Sequence, residues 1–184
     1  MKMLLICLMM CLATLTTEAQ VLTSVTTRKV YENATANNGG KFAYDAEYNA
    51  GGDISTIMIY KKNVRNKGNV TLKPISRYEY VYDVDGTLLS KTIFTWHHND
   101  WQCMGRHDYT LTSSLYSVEY SRWNQKKKIF DSPVEKMVYT LKANDSINIV
   151  AYYHRYYEES PLTLESQVTV IGLPFHMDNQ LTQK

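Results

Sequence analysis

The sequence predicts an all-β protein: an antiparallel meander of about four repeated hairpins, eight to ten strands in a twisted and curled sheet. Three observations predict it. From residue 20 onward there are 15 Tyr and 15 Thr against 7 Ala, a balance that favours strands over helices. Tyr78-Glu79-Tyr80-Val81-Tyr82 alternates with a period of two, then meets Asp85-Gly86, then Leu88 to Trp96. Alternating runs on both sides of Asp-Gly are a hairpin signal. Finally, the unit recurs at intervals of a few tens of residues.

The chain has 184 residues, and the first 19 read as a secretory signal. Lys2 gives a charged start, Leu4 to Leu15 a short apolar core, and Thr17-Glu18-Ala19 the small residues of a cut between Ala19 and Gln20. That core is too short for a membrane span, which needs about 20 apolar residues, and no later run reaches that length. Export into the periplasm or beyond follows. Lys+Arg exceed Asp+Glu by 20 − 18 = 2, so a surface built to neutralise nucleic acid is not expected. Cys103 is the one cysteine outside the signal, so the core must hold by burial and not by disulfides.

Four organisational segments follow: the signal at 1–19, an N-terminal leader at 20–40 with one flanking strand (Val25 to Tyr31), a hairpin domain at 41–173, and a frayed tail at 174–184. In the central hairpin, Asp83 to Thr87 suit a type I turn with Gly86 in the left-handed conformation as a bulge. A constant register from there pairs Tyr82 with Leu88, Tyr80 with Ser90 and Glu79 with Lys91. It places Tyr78, Tyr80, Tyr82, Leu88, Phe94 and Trp96 on one face. The hairpin unit is echoed by Tyr44, Tyr48, Gly52 and Ile54, by His107 to Trp123, and by Met137 to Ile147 around Asn144-Asp145. Polar loops are expected over Asn63–Asn69, His97–Gly105 and Asn124–Pro133, with a last strand at Glu165–Ile171.

The Tyr-x-Tyr-x-Tyr-Asp-x-Asp-Gly-x-Leu hairpin, the later Trp96 and Trp101, and the exported Thr- and Tyr-rich frame resemble an uncharacterised family of secreted Bacteroides proteins, domain of unknown function 3836. The resemblance spans about residues 40–172. It implies a cell-envelope setting in a gut-type Gram-negative host and carries over no activity and no functional residues.

No pattern in the chain specifies catalysis. His97, His98, Asp100, Cys103 and His107 cluster without the spacing that a tetrahedral metal site needs, so no metal or other cofactor is expected. Cys103 and His107 lack the oriented base and oxyanion donors of a thiol nucleophile. Asp83 to Gly86 looks like a calcium loop but has Val81 and Thr92 where ligands belong. Glu158 and Glu159 are adjacent and point apart, unlike a glycosidase pair. The functional content lies in the aromatics. Tyr80 and Tyr82 on the sheet, with Trp96, Trp101 and Trp123 on or beside loops, predict a surface for a glycan or an envelope protein. A hydrolase assembled from sequence-distant residues is the alternative. Asp145-Ser146-Ile147 resembles a Bacteroides O-glycosylation acceptor, with Ser146 carrying the sugar at a turn.

Overall fold

The computed structural model describes residues 22–37, 39–64, 69–141 and 147–170. Among the described residues, ten antiparallel strands form one open meander sheet, with one helix packed at its corner. The strands are β1 (Phe42–Tyr48), β2 (Ile54–Val64), β3 (Val70–Tyr82), β4 (Leu88–His97) and β5 (Asp100–Leu111). They continue with β6 (Leu115–Asn124), β7 (Ile129–Phe130), β8 (Glu135–Leu141), β9 (Ile147–His154) and β10 (Thr163–Thr169). Each strand lies beside its sequence neighbour, except that β7 and β8 both pair with β6. The expected signal with Ala19 and Gln20, the turn expected at 144–146 with Ser146, and the tail expected at 174–184 lie outside the described residues.

The Asp83–Thr87 turn forms as its residues dictate. Gly86 takes φ +78°, and the Asp83 carboxylate accepts the backbone N–H groups of Asp85 and Thr87. Tyr82 then faces Leu88, but Val81 faces Ser90 and Tyr80 faces Lys91. Leu89 is an extra residue, a β-bulge, so the constant register expected from the sequence is corrected by one position. The bulge buries Leu88 at 2% exposure and turns Leu89 outward. Glu79 therefore does not pair with Lys91; it meets Arg77 on its own strand at 3.0 Å. Phe94 and Trp96 also leave the tyrosine face, since Phe94 stands opposite Arg77. Further register shifts interrupt β1–β2, β2–β3, β4–β5, β8–β9 and β9–β10.

The flanking strand expected at Val25–Tyr31 is instead part of helix α1 (Ser24–Ala36). Its β-branched residues suggest a strand, but Thr23 starts a helix through reciprocal bonds with Thr26: each hydroxyl accepts the other's backbone N–H. Thr26 and Thr27 then donate their hydroxyls to the Thr23 carbonyl, which satisfies polar groups on the buried side. Segment 22–24 is sewn to the central hairpin by Ser24 N–H to the Gly86 carbonyl and Leu88 N–H to the Leu22 carbonyl, both 2.9 Å. Arg28 adds a bond to the Gly52 carbonyl. The helix thus closes the turn end of β1–β4 over Ile54 and Leu88, the most buried apolar residues.

A second cluster centres on Tyr116, with Tyr109, Leu111, Val118, Tyr139, Val150 and Val170 around it. The polar loop expected over His97–Gly105 is a two-residue turn. His98 and Asn99 both have positive φ, and strand pairing resumes at Asp100. The Trp96 and Trp101 side chains consequently stand on strands, directly opposite each other.

Candidate functional site

The sheet has two chemically distinct faces, and the aromatic residues singled out from the sequence divide between them. Tyr80 and Tyr82 stack on the first, with centroids 6.4 Å apart. One cross-strand row on this face reads Tyr80, Lys91, His107, Tyr120, Glu135 and His154, each residue directly opposite the next. Burial pushes Tyr80 and Tyr109 well above the usual phenol range, and Tyr82 up to about 12. The Lys91 ammonium lies 4.3 Å from the Tyr78 ring centroid, and burial lowers its pKa to about 8. His107 is pushed down to about 4, by burial first and by Lys91 second. Tyr80 and Tyr82, both half-buried, therefore stand on the face away from Trp96 and Trp101.

Catalytic-type groups approach one another here without engaging. Glu135 stands opposite His154, but no ion pair joins them, and the hollow beside them, lined by Val118, Tyr120, Glu135, Lys136, Met137 and Tyr152, is very small. Cys103 and His107 are separated by the bulge at Met104: Cys103 pairs with Phe94 and His107 with Lys91, on opposite faces. Burial also raises the Cys103 thiol, the wrong direction for a nucleophile. Among the described residues, no three His, Cys, Asp or Glu side chains gather as a metal site would require.

The second face carries the tryptophans. Trp96 and Trp101 meet edge to face, 5.1 Å between centroids and 72° between planes. The Arg77 guanidinium sits 4.2 Å from the Phe94 centroid and 5.3 Å from that of Trp101. Farther along, Arg106 lies 4.4 Å from the Phe130 centroid, and Phe130 packs edge-on against Trp123 at 4.9 Å. Glu79 holds Arg77 and Asp108 holds Arg106, so both guanidinium groups are fixed in orientation. All these aromatic rings are half-buried and keep part of their surface in solvent. A fixed array of aromatic faces and N–H donors suits a flat ligand with apolar faces and polar edges.

Arg77, Phe94, Arg106 and Phe130 were not singled out as site residues from the sequence. The available signal was the odd-numbered half of the Arg77-Tyr78-Glu79 alternation, overshadowed by the tyrosines. Phe130 reaches the array because β7 folds back onto the end of β6, opposite Trp123.

The model of a family of unknown function, DUF3836, matches residues 12–141. The chain belongs to that family. The fold of this DUF3836 member is similar to a crystal structure of a protein of unknown function from Bacteroides fragilis. The two are 26% identical, with TM-score 0.60, over 74% of this chain and 96% of that one. A DUF3836 protein from Parabacteroides distasonis is 24% identical, with TM-score 0.44 over 54% of this chain and 89% of its own. Another, from Bacteroides vulgatus, is 24% identical, with TM-score 0.42 over 49% and 88%. No curated protein matches the DUF3836 chain.

Proposed function

We propose that this DUF3836 member is an exported, non-catalytic protein of the cell envelope that holds a glycan on its tryptophan face. The observation that carries the reading is the Trp96–Trp101 pair with Arg77 stacked between Trp101 and Phe94. Aromatic faces pack against the apolar faces of sugar rings, and a guanidinium offers several donors to their hydroxyl edges. The strands hold these groups, so little side-chain freedom remains to be lost on binding. Arg and Trp are also enriched at protein-binding hot spots, which makes an envelope protein the second reading. The Glu135–His154 juxtaposition supports the hydrolase alternative less well, because neither group engages the other and no cleft opens between them.

A glycan array probed with the chain from Gln20 tests the site. Trp96→Ala and Trp101→Ala should each weaken a bound glycan about tenfold or more, whereas Tyr80→Phe should leave it bound. Binding that survives both tryptophan substitutions would remove the site. Export and modification belong to the same reading, supported by the sequence alone. The mass of the protein from its native host should correspond to cleavage between Ala19 and Gln20, with an added sugar at Ser146. A bare-chain mass rejects the sugar, and an uncleaved mass rejects the signal.

A further inference from the structure

Strands β2 and β3 run past their neighbours at one end of the sheet. The last paired residues of β1 and β2 there are Phe42 and Lys61, and the last of β3 and β4 are Ser76 and Thr95. The Lys62 N–H still bonds to the Lys41 carbonyl at 3.0 Å, and beyond it residues 63–64 and 70–71 pair only with each other, as a projecting two-stranded ribbon. Alternation places Lys61, Asn63, Thr71 and Lys73 on one side and Lys62, Val64, Val70 and Leu72 on the other. Val64, Val70 and Leu72 are 72%, 54% and 53% exposed. Three large apolar side chains on one unsupported side exceed the scattered exposure ordinary for a surface.

The polar side is equally unusual. Lys61 stands directly opposite Lys73, a like-charge cross-strand pair that weakens the ribbon. Among the described residues, none of Lys61, Lys62 and Lys73 takes part in an ion pair. In the described parts of this stretch, 60–64 and 69–73, the charged residues are three lysines, with no Asp or Glu. A partner that is anionic at its surface and apolar beneath it would use both sides: acidic groups for the lysines, and a less polar layer for the valines and Leu72.

We propose that this ribbon docks on an anionic phospholipid surface. Val64, Val70 and Leu72 enter the boundary between headgroups and acyl chains. The lysine stems extend alongside while their ammonium groups reach lipid phosphates. A soluble polyanion would satisfy the lysines alone and leave the apolar side in water, so the lipid surface accounts for more of the structure.

Co-sedimentation of the chain from Gln20 with vesicles tests the proposal, because residues 1–19 would add a lipid affinity of their own. Binding is expected to vesicles containing half phosphatidylglycerol, not to pure phosphatidylcholine, and it should weaken with added salt. Lys61→Glu/Lys73→Glu keeps a like-charge pair in place, so folding is little changed, yet affinity should fall about tenfold or more. Val64→Ser/Leu72→Ser should also reduce binding, and Val70→Trp should show a blue-shifted fluorescence on vesicles. No binding to the anionic vesicles overturns the proposal, as does full binding by either double variant. Retention on heparin without vesicle binding assigns the ribbon to a soluble polyanion and likewise overturns it. Glycan binding at Trp96 and Trp101, if present, should survive the lysine reversals, which keeps this test separate from that of the tryptophan face.

Discussion

Lys91 stands directly across from His107 on adjacent strands, with its ammonium over the ring of Tyr78. The pair places a cation beside an imidazole in a setting that disfavours charge on both. Burial lowers Lys91 to about 8, and the same burial, reinforced by Lys91, lowers His107 to about 4.

Replacing the lysine should therefore stabilise the protein. A lysine whose native pKa lies below its unfolded value penalises folding fully below about 8 and not at all above about 10.5. Lys91→Met should raise stability at pH 7 by about 2 kcal/mol, after allowing for the lost ring contact. The difference between variant and parent should shrink as pH rises from 8 to 10.5, read from urea midpoints. An unchanged or lowered midpoint at pH 7 would refute the assignment. The same variant should raise the His107 pKa in an NMR titration.

Acid sensitivity follows from His107 with the opposite partner state. Its native pKa of about 4 lies below the usual 6.5, so the unfolded chain binds the proton first. This contribution is complete above about 6.5 and is lost as pH falls toward 4, amounting to about 2–3 kcal/mol. His107→Phe should flatten that part of the pH–stability curve relative to the parent. Equal slopes for the two proteins between pH 6.5 and 4 would show that other groups set the acid limb.

Gly105 is required by a close approach. A Cβ there would lie 2.6 Å from the Ser121 carbonyl oxygen and 2.6 Å from Cε2 and the hydroxyl of Tyr120. Gly105→Ala should destabilise by about 2–3 kcal/mol, seen as a lower denaturation midpoint. Adding Tyr120→Ala should not restore stability, because the backbone oxygen of Ser121 stays in place. A full rescue by that second change would locate the clash in the ring alone.

The helix cap should govern one corner of the sheet. Thr23→Ala removes the hydroxyl that accepts the Thr26 N–H, at a cost of about 1 kcal/mol. Because Leu88 N–H bonds to the Leu22 carbonyl, its hydrogen exchange should quicken while β6 and β8 amides stay protected. Uniform acceleration across the sheet would mean that the cap stabilises the whole fold instead.

Sequence alone determined that this chain is a meander of antiparallel strands, because alternation and the Asp85-Gly86 turn are local properties. It also pointed to Trp96 and Trp101, which do meet. Tertiary structure decided which face each side chain joins. A single bulge at Leu89 moves Phe94 and Trp96 away from Tyr80, and no local pattern distinguishes a bulged ladder from a regular one. The same limit hid Arg77 and Phe130, whose partners lie on other strands, and the projecting ribbon, which exists because β1 and β4 stop short. In Val25–Tyr31 the β-branched residues favoured a strand, but the Thr23–Thr26 box and the place over Ile54 and Leu88 made a helix. Propensity differences amount to only about 1 kcal/mol per residue or less, and capping with burial outweighs them.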